Sequence, residues 1–205
     1  MDNKQATLEL GTKPVGKLLM QYALPAIIAM TAASLYNMID SIFIGQGVGA
    51  MAISGLAITF PFMNLTAAFG AAVGIGASTY LSVKLGQKDY KTAERILGNN
   101  VTLNIVIGIA VGAVSLLFLD PILRFFGASH QTLPYAREYM TVILAANVFS
   151  QLFYGTNAVL RATGKPKQAM FITIATVVMN AILAPIFIWG CGLGISGAAY
   201  ATVLS

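Results

Sequence analysis

The stretch LLMQYALPAIIAMTAASLYNMIDSIFI, residues 18–44, contains one charged residue, Asp40. About 20 apolar residues in a helix cross a hydrocarbon core of roughly 30 Å, because each residue adds about 1.5 Å. The stretch therefore predicts a membrane-spanning helix with a carboxyl group inside it. The whole chain has 205 residues, 57% hydrophobic and 9% charged, with a mean hydropathy of +0.77. Because soluble domains carry about 25% charged residues, we interpret the chain as an all-α membrane protein.

Further uncharged runs divide the sequence into successive predicted spans. Their bounds, with the first included, are 18–44, 50–83, 96–119, 139–160, 169–189 and 193–205. The sixth run starts at Leu193 and is too short to cross a bilayer when it reaches Ser205. We therefore expect the chain to be a piece of a longer protein. Residues 1–17 are the expected N-terminal tail, and residues 18–205 the expected transmembrane lobe.

The positions of the basic residues predict the orientation of these spans. Ten of the twelve precede span 1 or lie in the loops after spans 2 and 4, and only Arg124 and Arg137 lie between spans 3 and 4. The ten are Lys4, Lys13, Lys17, Lys84, Lys88, Lys91, Arg95, Arg161, Lys165 and Lys167. Loops rich in Lys and Arg face the cytoplasm, so the N-terminus is predicted to be cytoplasmic. The same rule accounts for the net charge of +5 without a nucleic-acid partner.

Asp40 is the acid that a structural role explains least well. An ionised Asp at the centre of a spanning helix costs about 2.5–3.5 kcal/mol on insertion scales, and such residues usually face a water-filled path or a proton relay. No basic residue lies inside a span to pair with it. Asp40 should therefore be hydrated or protonated, although its position near the end of the span also allows it to reach the interface. Tyr36 shares its helix face, being four residues earlier.

Other polar residues at membrane depth are candidates for a cavity or for bonds between helices. Hydrogen bonds between membrane helices contribute about 0.6–2 kcal/mol each, so both roles stay open for most of them. In spans 1, 4, 5 and 6 they are Tyr36, Asn37, Tyr139, Asn147, Gln151, Asn157, Asn180 and Thr202.

The sequence contains no convincing pattern for enzymatic chemistry. GLGISG, residues 192–197, has the spacing of a dinucleotide-binding loop but follows a full apolar span rather than a short strand. His130 is far in sequence from any cysteine or carboxylate cluster, so a metal site is not expected. We predict no catalytic residue, no metal and no cofactor. Gly70 and Gly74, like Gly108 and Gly112, are four residues apart and predict close helix packing.

Several segments, taken in order, resemble the N-terminal half of a multidrug and toxic compound extrusion (MATE) transporter. They are Pro25 followed by LYNMIDSIFIGQGVG (35–49), LGQKDYKTAERILGNN (85–100), RATGKPK (161–167) and VVMNAILAPIFIWGCGLGISGAAYAT (177–202). The resemblance implies a six-helix transmembrane lobe, one half of a twelve-helix transporter with pseudo-two-fold symmetry. The C-terminal lobe is then absent from this chain and is its expected partner.

The resemblance also assigns roles to individual residues. Asp40 matches the aspartate of the family's first helix, and Pro25 the proline that can kink that helix. The residues implied for proton or cation coupling are Asp40, Asn180, Thr202, Tyr36 and Asn157. Those expected to line the substrate cavity are Tyr36, Asn37, Tyr139, Gln151 and Asn157. Many relatives have an Asp four residues after the Asn that matches Asn180, whereas this chain has Ala184; we therefore favour H⁺ over Na⁺ as the coupling ion.

These features predict a secondary-active antiporter in the cell (inner) membrane that exports organic cations or amphipathic toxic compounds. A flippase for lipid-linked precursors on a related fold is the alternative, and it should have a groove rich in Arg and Lys for a pyrophosphate group. A non-transporting membrane subunit or an integral enzyme is a third class, which would need partners or a catalytic cluster.

Overall fold

The computed structural model describes residues 14–205, and within them the secondary structure is helical, with no strand. We number the α-helices in chain order. They are α1 (Val15–Gly47), α2 (Ala50–Gly86), α3 (Tyr90–Leu117), α4 (Leu119–Phe125), α5 (Leu133–Ala145), α6 (Asn147–Ala162), α7 (Pro166–Pro185) and α8 (Gly194–Leu204). A π-helical turn, Ile186–Gly190, continues α7. Part of the predicted tail, residues 1–13 with Lys4 and Lys13, lies outside the described residues.

Within residues 14–205, four helices are long and apolar enough to cross a membrane: α1, α2, α3 and α7 with its π-turn. The pair α5 and α6 passes the same test as one broken span, which is bent by 61°. The apolar helix α8 is shorter. Helices α1, α2 and α3 each run beyond the predicted span at one end or both, because charged residues such as Lys84 and Glu94 continue the helix outside the uncharged run. Helix α3 ends at Leu117, before the predicted residue 119.

The break between α5 and α6 falls inside the predicted span 139–160, at Ala146. Proline does not cause it, because the only proline of the pair, Pro134, lies at the start of α5. At the break, the Asn147 side chain donates a hydrogen bond of 3.0 Å to the Gly108 carbonyl of α3. A Cβ on Gly112 would lie 2.9 Å from the Leu144 carbonyl oxygen. The backbone of α3 therefore sits directly against the bend.

Glycines hold α2, α3 and α6 close together. A Cβ on Gly74 of α2 would lie only 2.7 Å from the Gly155 Cα of α6, and one on Gly108 of α3 would lie 2.8 Å from the Val148 Cα. Real Cβ atoms do not approach backbone so closely, so these positions require glycine. The predicted packing role of these glycines is confirmed. We call α2, α3 and α6 the glycine-packed block.

The remaining helices form a second group in which α1 packs mainly against α7, and α5 packs against α8. Their shared core lies near the C-terminal end of α1 and includes Ile44, Met140, Ile188 and Ile195, each at most 3% exposed. Outward-facing positions of α1 are large and apolar, for example Leu19, which is 65% exposed. Such a surface is suited to lipid or to further protein rather than to water.

Candidate functional site

Asp40 lies in the interior of the helix bundle. It is on α1, one turn after Tyr36, and only 3% of its surface is exposed. Its oxygen Oδ1 is buried and has no hydrogen-bond partner among residues 14–205. No lysine or arginine in that part of the chain forms an ion pair with it. A buried carboxylate without such a partner is stable only if it is protonated, hydrated or next to a cation.

Tyr36 and Tyr139 interact electrostatically with this carboxyl group, and Thr202 is hydrogen-bonded to Tyr36. The Tyr36 Oη and the Thr202 Oγ1 of α8 are 2.7 Å apart. Tyr139 of α5 is 2% exposed and lies within electrostatic range of both Tyr36 and Asp40. We call Tyr36, Asp40, Tyr139 and Thr202 the Asp40 cluster. It combines one carboxyl group and three hydroxyl groups.

The hydrogen-bond pattern assigns a direction to the bond between Tyr36 and Thr202. The Thr202 hydroxyl also contacts the Ala198 carbonyl oxygen, at 3.0 Å. A carbonyl can only accept, and a threonine hydroxyl has one hydrogen, so that hydrogen points to Ala198. On this ground we assign Tyr36 as the donor and Thr202 as the acceptor. The lone pairs of the Tyr36 oxygen stay available to accept from another donor.

The two amides predicted for coupling, Asn180 and Asn157, are buried with unsatisfied atoms. Asn180 lies on α7, the helix against which α1 packs, and is 1% exposed. Neither its Oδ1 nor its Nδ2 has a partner in residues 14–205. Asn157 of α6 is also buried, with its Nδ2 unpaired there. Buried amides normally find partners, so these atoms are suited to bind water, an ion or a polar group of a ligand.

The structure does not bring Gln151 and Asn37 into the Asp40 cluster. Gln151 of α6 is 1% exposed and faces the glycine-packed block, where its Nε2 donates to the Thr66 carbonyl oxygen at 2.8 Å. Asn37 is on the exposed side of α1, and its Nδ2 donates to the Ala33 carbonyl oxygen at 3.1 Å. Pro25 is buried inside α1, where the missing N–H of a proline allows a helix to bend.

The sequence prediction missed Tyr154 of α6. Tyr154 interacts electrostatically with Tyr36. Its ring contacts the Phe153 ring edge to face, with the ring centroids 5.7 Å apart. Its spacing from Asn157, three residues later on the same helix face, could have indicated it. Tyr154 adds an aromatic ring and a hydroxyl group to the surroundings of the Asp40 cluster.

The arrangement offers few ligands for a tightly bound metal. In the described part of the chain no group of three or more His, Cys, Asp or Glu side chains could hold a metal ion. Among the residues predicted for coupling, the buried oxygens without a hydrogen-bond partner in residues 14–205 are Asp40 Oδ1 and Asn180 Oδ1. Ala184, fully buried one turn after Asn180 on α7, adds no oxygen. The chemistry that this site carries best is the gain and loss of one positive charge at Asp40.

Comparisons with known proteins identify the family. The MatE family model matches residues 25–186. The multidrug export protein MepA of Staphylococcus haemolyticus is 32% identical over 189 residues, which are 92% of this chain and 42% of MepA. The solved structure of the MATE multidrug transporter DinF-BH matches with a TM-score of 0.87 and 35% identity over 95% of this chain and 44% of its own. An outward-facing MATE transporter of the MOP superfamily matches with a TM-score of 0.84 and 28% identity, over 100% of this chain and 42% of its own.

The chain thus spans less than half the length of these relatives, and its fold is one half of a MATE transporter, as predicted. The predicted class of membrane transport protein is confirmed as well. Members of this family are transporters rather than enzymes. The extent of the family match and the identity to MepA show that this chain belongs to the MATE family of multidrug efflux transporters.

Proposed function

We propose that this chain forms the N-terminal lobe of an antiporter that exports organic cations or amphipathic toxic compounds in exchange for protons. The observation that carries the proposal is the burial of Asp40, without a basic partner among residues 14–205, near Tyr36 and Tyr139, with Thr202 hydrogen-bonded to Tyr36. A second lobe, implied by the length of the relatives, completes the transport path.

Proton binding changes what Asp40 can do inside this cluster. An ionised carboxylate only accepts hydrogen bonds, whereas a protonated one has an O–H to donate. Because the Tyr36 hydroxyl donates its hydrogen bond to Thr202, the Tyr36 oxygen repels an ionised Asp40 and attracts a protonated one. Protonation therefore draws the two residues of α1 together and links them to α8 through Thr202. We propose that this change shifts α1 and closes the space that holds the substrate.

The energy available from one proton limits what the exchange can do. Moving one charge through 100 mV supplies about 2.3 kcal/mol, and one pH unit supplies about 1.4 kcal/mol. A neutral substrate can use both, which allows a gradient of roughly 500-fold for these values. One proton exchanged for one monovalent cation moves no net charge, so only the pH gradient drives that exchange.

We favour H⁺ over Na⁺ because of the oxygens that the site provides. Hard cations are bound by several oxygen ligands, whereas the unpaired oxygens found here are Asp40 Oδ1 and Asn180 Oδ1. Ala184 stands where the family resemblance implies a second carboxylate, and it leaves the site without that charge. A proton needs only one basic atom and can bind Asp40 directly.

We propose that the transporter resides in the cell (inner) membrane with its N-terminus in the cytoplasm. The basic residues of the α2–α3 and α6–α7 loops support this orientation under the positive-inside rule. In that orientation the α1–α2 loop and the start of α8 face outward. Asp40 then lies about 10 Å along α1 from its outer end, by helical rise.

Replacing Asp40 tests the proposal in the protein that combines this chain with its second lobe. Asp40→Asn in proteoliposomes should abolish dye export driven by a pH gradient, because the amide cannot exchange a proton in this range. Asp89→Asn is the matched control, because Asp89 caps α3 through the Thr92 N–H at 3.1 Å and Asn caps helices equally well. Export that keeps its rate and its pH dependence in Asp40→Asn refutes the assignment.

The same proteoliposomes separate this function from the alternative of a flippase. An antiporter should export a soluble cationic dye and move protons in the opposite direction in step with it. A flippase should instead translocate a labelled lipid pyrophosphate without proton movement. A sodium gradient that drives dye export at equal pH on both sides would identify Na⁺ as the coupling ion.

A further inference from the structure

A cavity lies between α5 and α8, apart from the Asp40 cluster. Its volume is about 600 Å³, which is in the range of roughly 300–1,000 Å³ typical of small-molecule sites. Apolar and polar side chains share its wall: Leu133, Pro134, Arg137, Glu138, Thr141, Val142, Ser196 and Tyr200. These residues extend over the first three turns of α5 and the first two turns of α8. In the proposed orientation, the cavity therefore lies towards the outer side of the membrane.

The charges around this cavity do not cancel. Arg137 is offset by Asp120 of α4, whose Oδ1 lies 3.4 Å from the Arg137 Nε. Glu138 forms no ion pair within residues 14–205. Because Arg137 and Asp120 pair with each other, Glu138 is the charged residue of the cavity wall that has no ion pair within residues 14–205. The cavity is therefore suited to a positively charged ligand.

The other lining groups match the remaining parts of an organic cation. Tyr200 of α8 is 44% exposed and offers an aromatic ring, and cations over such rings gain about 0.5–1 kcal/mol at exposed sites. Leu133, Pro134 and Val142 supply apolar surface for the body of the ligand. The hydroxyl hydrogens of Thr141 and Ser196 are used on the carbonyl oxygens of Arg137 and Leu193. Their oxygens are therefore left as acceptors, which again favours a donor or a cation.

The same two helices carry both sites on different faces. Tyr139 of α5 and Thr202 of α8 face the Asp40 cluster, whereas Glu138 and Tyr200 line the cavity. We propose that the cavity between α5 and α8 is a second binding site for amphipathic organic cations, on the release side of the membrane. The proposal rests on the proposed export function for its biological meaning. In that setting the site holds the cation that has left the Asp40 cluster.

Protection of an engineered cysteine tests the site in the protein with both lobes. Cys191, which is exposed, is first replaced by serine, and Ser196→Cys then places a thiol in the cavity wall. We expect a cationic methanethiosulfonate reagent to label this thiol faster than an anionic one at low ionic strength. Tetraphenylphosphonium should slow the labelling. Added salt should weaken both effects, because the Glu138 carboxylate is open to solvent.

Three variants show whether the protection depends on Glu138. Glu138→Gln should weaken protection by tetraphenylphosphonium about tenfold, which corresponds to the loss of roughly 1.4 kcal/mol. Glu94→Gln, an equal change at an exposed position near the start of α3, should not change it. Asp40→Asn should leave protection intact, so failure of proton coupling and failure of this site give different results.

Three outcomes would overturn the proposal. One is labelling that tetraphenylphosphonium does not slow at all. Another is equal protection in Glu138→Gln and in the parent protein, which means that the charge is not used. The third is a thiol that neither reagent reaches from either side, since it shows that other parts of the protein or bound lipid fill the cavity.

Discussion

The hydrogen bond between Tyr36 and Thr202 should couple α1 to α8 by a measurable free energy. The two oxygens are 2.7 Å apart, and the bond is partly buried. Tyr36→Phe and Thr202→Val each remove it, and the double variant completes a thermodynamic cycle. Measured coupling between side chains of membrane helices averages about 0.6 kcal/mol and reaches about 1.7. We expect about 1 kcal/mol here, because the bond is short and its alternative is apolar surroundings.

The single variants should differ in their cost. Thr202→Val leaves the Tyr36 hydroxyl without its acceptor, and an unsatisfied buried donor costs about 1–3 kcal/mol. Tyr36→Phe removes the donor and leaves Thr202 bonded to the Ala198 carbonyl oxygen, so its cost should be nearer 1 kcal/mol. This order follows from Tyr36 being the donor.

Reversible unfolding in mixed detergent micelles measures these free energies in the protein with both lobes. Thr176→Val supplies the matched control, because the Thr176 hydroxyl bonds only to the Ile172 carbonyl oxygen of its own helix, at 2.8 Å. The cycle of Tyr36→Phe with Thr176→Val should show no coupling. If the cycle of Tyr36→Phe with Thr202→Val also shows no coupling free energy, the reasoning about a link between α1 and α8 is wrong.

Two other predictions concern packing and orientation. Gly74→Ala should lower the unfolding midpoint clearly, because the new Cβ would lie 2.7 Å from the Gly155 Cα. Gly76→Ala should leave the midpoint unchanged, because the space within 4 Å of its new Cβ is open. Equal midpoints in the two variants would exclude the tight contact. Lys91→Cys, exposed near the start of α3, should react with a membrane-impermeant maleimide only from the cytoplasmic side; reaction in intact cells from outside would reverse the proposed orientation.

Much of the fold could be read from the sequence because a bilayer constrains it strongly. Uncharged runs indicated the helices, and charges such as Lys84 and Glu94 indicated where the runs stop. The bend at Ala146 could not be predicted in this way. It depends on the approach of α3 and on the bond from Asn147 to the Gly108 carbonyl oxygen, which are contacts between distant parts of the chain.

The candidate site was predictable only where helix spacing and family resemblance agreed. Tyr36 and Asp40 share a face of α1 by their spacing of four, and the resemblance added Tyr139 and Thr202. The sequence marked Gln151 as polar at membrane depth but did not say which neighbour it faces. Its amide reaches the Thr66 carbonyl oxygen of α2, because Gly70 leaves room for it there.

The corner at Ala146 has a mechanical consequence. Helix α5 packs against α8 and also against α2 and α3, whereas α6 lies within the glycine-packed block, so the junction at Ala146 joins a helix that contacts both groups to a helix of the block. If a change around Tyr139 tilts α5, the angle between α5 and α6 changes. The helix α6 does not have to move along its own axis. In the proposed mechanism, the corner would therefore transmit a tilt of α5, near the Asp40 cluster, to α6 in the glycine-packed block.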